Sequence, residues 1–139
     1  MLSIAAQEAD IVGINVKTTA TGGFDASSLT STATDQKVAW IQAAAGARFA
    51  ALELSISMPF VAVTDKPQEA AANYVQDLGI AEYMTPQQLL ESPHCAIGSI
   101  DQIIERLQAH RERYKCSYFV IHDDSIDVFA PIVARLTGA

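Results

Sequence analysis

The side chains that could carry chemistry are few: two cysteines, Cys95 and Cys116, and three histidines, His94, His110 and His122. Neither cysteine belongs to a C-x-x-C pair, and no histidine stands at zinc-site spacing from a cysteine pair. His94 and Cys95 are adjacent, which does not by itself make a chelate. The expectation is two buried free thiols in a reducing compartment.

Phosphate chemistry needs backbone amides presented by a glycine-rich turn or a helix start. Gly22-Gly23 resembles a turn more than a cradle, because no helix begins directly after it. No G-x-G-x-x-G follows a strand pattern. Gly98-Ser99 at a helix start could hold an anion, yet Ser99-x-x-Gln102 reads as a plain capping box, and the cap is the favoured reading. His110, Arg111, Arg113 and Lys115 form one basic cluster at the end of a predicted helix, where cations suit the macrodipole. It is read as a solvated helix end. With a formal net charge of −7 and this one cluster read as a helix end, nucleic acid is not expected as a partner.

The elements that must position these residues can be read from caps and apolar runs. Leu2 to Ala9 favours helix. Asp10-Ile11-Val12-Gly13-Ile14-Asn15 is a short apolar run of the kind buried on both faces of a parallel sheet. A Thr-, Ser- and Gly-rich loop spans Lys17 to Thr34. Asp35 is expected to cap a helix reaching Gly46, with Trp40 in the core. Leu52 to Thr64 reads as one extended segment with a bulge near Pro59. Helices are predicted after Asp65-Lys66-Pro67, after Thr85-Pro86 and after Ser99. Cys116 to His122 is a strand, and Asp123-Asp124-Ser125 caps a last helix that Gly138 closes.

Strands near 10–15, 52–63 and 117–122 alternating with helices predict parallel pairing and an α/β class, as one domain over residues 1–139. Three parallel strands leave two open edges, at Ile11-Val12-Gly13-Ile14 and Phe119-Val120-Ile121, neither protected by Lys or Pro. Self-association into a dimer burying more than ~1,000 Å² is the simplest remedy. The N-terminus has no basic region followed by an apolar run, and no stretch approaches the length of a membrane span, so a cytoplasmic location is expected.

Several segments, taken in order, resemble luciferase-like monooxygenases. Leu2-Ser3-Ile4-Ala5-Ala6-Gln7-Glu8-Ala9-Asp10 leading into Ile11-Val12-Gly13-Ile14-Asn15 is similar to that family's helix ending in Ala-Ala-x-x-Ala-Asp before a barrel strand that ends in Asn. Ser92-Pro93-His94-Cys95-Ala96-Ile97-Gly98-Ser99 with the helix from Ile100 to Leu107 resembles its later signature, where Gly-Ser or Gly-Thr opens a helix before the last strand. Val38-Ala39-Trp40-Ile41 through Gly46 and Val63-Thr64-Asp65 also fit. The resemblance covers nearly the whole chain and corresponds to the C-terminal portion of the family's barrel. It implies a partial (β/α) TIM-type barrel of about three strands with flanking helices. It also implies use of reduced flavin mononucleotide with oxygen, or of a deazaflavin for hydride transfer, with wording closer to the deazaflavin branch. The family's phosphate-binding Gly-rich turn and most of its flavin contacts belong to an N-terminal half that no position here matches.

In such a barrel, chemistry sits at the C-terminal ends of strands. The resemblance therefore points to Asn15, the Ser57-Met58 region and His122-Asp123. Asn15 would hydrogen-bond a ring edge or a substrate carbonyl; the alternative is a turn residue satisfying its own backbone. His122 would donate a proton or contact the ring; the alternative is a strand-end histidine bonded to Asp123, Asp124 or backbone. Asp123 and Asp124 read as helix-terminal anions. Two functions follow: a luciferase-like oxidoreductase deficient when alone, or a non-catalytic barrel piece that associates with itself or with a missing N-terminal half.

Overall fold

Thr85-Pro86-Gln87-Gln88 and Ser99-Ile100-Asp101-Gln102 each place a hydroxyl at the N-cap and a glutamine three residues on. Both close reciprocal capping boxes, so these two helix starts are locally determined. In the computed structural model, which describes residues 1–137, they open α4 (Pro86–Leu90) and α5 (Ile100–Tyr114). The other helices are α1 (Leu2–Glu8), α2 (Ser31–Ala45), α3 (Pro67–Asp77) and α6 (Ile126–Leu136). The strands are β1 (Ile11–Ile14), β2 (Glu53–Met58), β3 (Phe60–Val63), β4 (Cys95–Gly98) and β5 (Cys116–Ile121). The closing role expected of Gly138 lies outside the described residues.

Every strand pair is parallel, and the fold is mixed α/β. The strands form two small open sheets, one ordered β1-β2-β5 and one pairing β3 with β4. Two expectations need correction. The extended run 52–63 is not one bulged strand: Pro59 has no N–H to donate, and the chain leaves the first sheet there and enters the second. Cys95–Gly98 is a strand that the sequence reading took as the approach to a helix. It is four residues long and buried along its whole length, so no alternation betrays it.

Two helix starts also differ from expectation. α2 begins earlier, capped by Thr30, whose hydroxyl accepts from the Ala33 amide. Asp35 instead pairs with Arg113. α3 is preceded by Lys66 without a side-chain cap, and Thr64 rather than Asp65 accepts from the Lys66 amide.

One apolar cluster holds Val12, Ile14, Leu54, Ile56 and Met58 of the three-stranded sheet against α1, α2, α5 and α6. A second packs Phe60, Cys95 and Ile97 of the β3–β4 pair against α3 and α4. The loop from Lys17 contributes to this second core. Its 3₁₀ turn Ala26–Leu29 buries Ala26 and Leu29, and Phe24 meets Phe60 edge-to-face at 5.6 Å. Trp40, expected inside, lies on the outer face of α2 and is 53% exposed. Its stripe position belongs to a helix that buries only Thr34 and Ile41.

The two sides of the three-stranded sheet differ. Val12, Ile14, Leu54, Ile56 and Met58 face the helices and are buried. The alternate residues, Ile11, Gly13, Ser55 and Ser57 with Tyr118 and Val120 in register beside them, face away from that core. β1 and β5 are the free edges of this sheet.

Candidate functional site

Parallel strands carry all their C-terminal ends on one side, where loops and helix starts gather. Ile14 is level with Ile56, and Met58 with Ile121. Asn15 therefore follows β1 beside Ser57, and His122 follows β5 just past Met58. With one strand between them and an offset of two residues along it, their backbones are separated by about 12 Å at the usual strand spacing and rise. The structure brings these two residues to one end of one sheet but not into contact.

Both are exposed. The Asn15 carbonyl accepts from Lys37 Nζ at 2.9 Å, and the same ammonium reaches the Ser28 carbonyl at 3.2 Å. Burial lowers the Lys37 pKa. Among the described residues the Asn15 amide side chain makes no hydrogen bond. The His122 carbonyl accepts from the Ser125 amide at 3.1 Å, while its ring makes no hydrogen bond within the described residues. Asp123 accepts from the Asp124 amide and Asp124 from the Ser125 hydroxyl, but both bonds lie within a 3₁₀ turn, Asp123–Ser125, and α6 starts without a side-chain cap, so the cap expected of Asp123-Asp124-Ser125 does not form.

The sequence reading missed His94. It is fully buried at the start of β4, and its Nδ1 lies 2.8 Å from the Ser57 carbonyl oxygen. A carbonyl only accepts, so Nδ1 carries the proton and Nε2 is left as a bare lone pair with no partner. Burial, above all, pushes its pKa down to about 4, and Lys37 adds to the effect. His110 Nε2 and the Tyr114 hydroxyl are likewise buried without a partner. His110 is lowered to about 4 by burial and then by Arg106 and Arg113. These groups, with Ser92 and Thr34, make up a set of buried polar residues. Only the adjacency of His94 and Cys95 hinted at it. Since His94 is out of solvent, it can steady the Ser57 end of β2 but cannot touch a ligand on the open side of the sheet.

The basic cluster is only partly a solvated helix end. Arg111, Arg113 and Lys115 are exposed, but His110 is buried and Arg113 pairs with Asp35 at 2.6 Å while lying over the Tyr114 ring. Cys95 and Cys116 are buried and free, as expected. Burial raises their thiols to about 12 and about 11, which removes them as nucleophiles. Ser99 forms its capping box; a Cβ at Gly98, where φ is 149°, would come within 2.8 Å of the Gln102 side chain. Among the described residues no three His, Cys, Asp or Glu side chains gather as a metal site, and no helix is long and apolar enough to cross a membrane.

A cleft of about 650 Å³ lies between helices, lined by Ser31, Gln68, Glu91, Arg106 and Arg113 among others, away from Asn15 and His122. Much of its polar lining is already engaged, in the Gln68–Gln87–Glu91 chain and the Arg113–Asp35 pair. A smaller, mainly apolar groove of about 280 Å³ runs along the free edge of β1, between α1 and Asn15. No family model and no curated protein matches the chain. The class of protein is thus defined by the fold: a parallel α/β unit with open sheets and strand-end polar residues on one side.

Proposed function

We propose that the chain is a portion of a luciferase-like (β/α) barrel oxidoreductase, with Asn15 and His122 as contacts for the ring of a flavin or deazaflavin. The observation that carries this reading is the shared end of the parallel sheet, where Asn15, Ser57 and His122 gather with their polar side chains uncommitted. The Asn15 amide offers both a donor and an acceptor to the ring's carbonyl and imide edge, and the His122 imidazole can donate to or stack beside it. The bound ring would supply the hydride or oxygen chemistry. The chain's own residues orient the ring.

A phosphate cradle is the part this reading lacks. The helix start at Ser99 is occupied by its own cap, and the Gly22-Gly23 turn is closed by the Gly22 amide bonding the Thr19 carbonyl. Ring contacts without a phosphate anchor give weak binding that is indifferent to the phosphate. Fluorescence titration with flavin mononucleotide and with riboflavin tests this. Equal, weak affinities that fall further in Asn15→Ala and His122→Ala are expected. Micromolar or tighter binding of the mononucleotide, or binding untouched by both substitutions, would overturn it.

The second reading, a self-associating unit without redox chemistry, is favoured by the two free edges of the β1-β2-β5 sheet. The partner would be a second copy or a separate half-barrel. The titration separates the two readings, since this one predicts no saturable ring binding.

A further inference from the structure

The three-stranded sheet leaves the side opposite its helices open, with Ser55 and Ser57 half-buried at its centre, and both edges unpaired. Ile11, Tyr118 and Val120 on that side are 55%, 51% and 41% exposed, although β-branched and aromatic side chains at such positions normally find cover. Gly13 and Ser55 lie between them. The two edges have the same polarity, because β1, β2 and β5 all run parallel. An edge pairing of β5 from one copy with β1 of another can therefore continue the parallel order.

The charges beside the two edges complement one another. At the N-terminal end, Glu8 precedes β1, with Asp10 beside it already paired with Arg48 at 3.0 Å, while Lys115 precedes β5. At the C-terminal end, Lys37 lies by β1, bonded to the Asn15 carbonyl, and Lys17 is already paired with Asp25 at 3.2 Å, whereas Asp123 and Asp124 follow β5. Parallel pairing of β5 with a second β1 thus sets cation against anion at both ends.

We infer that two copies of this chain close head-to-tail into a six-stranded parallel barrel, β5 of each pairing with β1 of the other, about a two-fold axis running along the strands. Closure removes all four free edges and turns the open sides into the barrel interior. A barrel with fewer than eight strands has a narrow interior, and Gly13 and Ser55 at mid-strand are the small residues it needs. The same closure completes the candidate site. Within one copy, β2 separates Asn15 from His122; across the seam no strand stands between Asn15 of one copy and His122 of the other, twice per dimer. This inference rests on reading the chain as a barrel portion, but not on flavin chemistry: it is read by mass, whereas the cofactor reading is read by ring binding.

The test uses the full chain with Ile11→Glu and Tyr118→Lys, both at exposed positions of the open side. Light scattering of the wild type should give twice the 14.9 kDa chain mass. Each variant alone spoils both seams and should shift to the single-chain mass with an unchanged far-ultraviolet circular dichroism spectrum. An equimolar mixture restores one wild-type seam and opposes Glu to Lys in the other, so the dimer should return. A monomeric wild type overturns the inference. So does a mixture that stays monomeric, or one variant that remains dimeric alone, as pairing through β1–β1 or β5–β5 edges would produce. Should a variant lose its fold, carbodiimide cross-linking of an isotope-mixed wild-type sample decides the matter: a Lys115–Asp10 or Lys115–Glu8 link between heavy and light chains is expected, and links confined to single chains overturn the proposal.

Discussion

Lowering the pH from 7 to 5 should destabilise the protein through His94, and His94→Asn should remove that part of the sensitivity. The fold holds the imidazole neutral, with a pKa of about 4 against the usual 6.5, chiefly because it is buried. A group whose folded pKa is depressed favours folding fully above its unfolded pKa. That contribution is withdrawn as the pH falls from about 6.5 towards 4, since the unfolded chain binds the proton first. Each pH unit in that window costs about 1.4 kcal/mol per histidine, so at pH 5 the loss from His94 is about 2 kcal/mol. For a chain of 139 residues, this corresponds to roughly 7 °C in Tm. Asn is chosen because its side-chain N–H₂ reaches the position of Nδ1 and keeps the donor to the Ser57 carbonyl. The smaller side chain will lower stability at all pH values, so the quantity to compare is the slope. Thermal melts at pH 7, 6 and 5 should show a steeper fall for the wild type than for the variant, with His110 accounting for a slope common to both. Identical slopes would refute the assignment of a buried neutral His94.

Ile56→Ala, at a fully buried position on the central strand β2, should cost about 2–5 kcal/mol in chemical denaturation, because the cavity opens between the sheet and its helices; a loss below about 1 kcal/mol would mean that this face is not packed as described. Ser99→Ala breaks the capping box of α5 and should cost about 1 kcal/mol, whereas Trp40→Ala on the exposed face of α2 should stay within about 0.5 kcal/mol. Equal effects from these two would contradict the placement of either residue.

Much of the local structure was legible because it is written within a few residues. The capping boxes at Thr85 and Ser99 need only a hydroxyl and a glutamine three positions apart. Gly46 and Gly79, with φ of 56° and 65°, stop their helices where glycine alone is comfortable. β1 and β5 stood out as apolar runs between such signals. The strand at Cys95–Gly98 did not, since four buried residues carry no period. Thr30 was overlooked as a cap because Asp35 offered an equally good local pattern, and the tie is broken by Asp35 pairing with Arg113, far away in sequence.

The sequence by itself determined the alternation of strand and helix, the parallel sense of the strands and the presence of two unprotected edges. Each depends on side-chain pattern and on the helices that separate a strand from its partner in the sheet. Tertiary structure decided which strands are neighbours, so that β5 lies against β2 while β4 joins β3 beyond the Pro59 break. It also decided that His94 is buried beneath the Ser57 end of the sheet and that Trp40 is not buried at all. Those outcomes turn on contacts between residues tens of positions apart, where the free energy of packing one face against another outweighs what any single segment prefers.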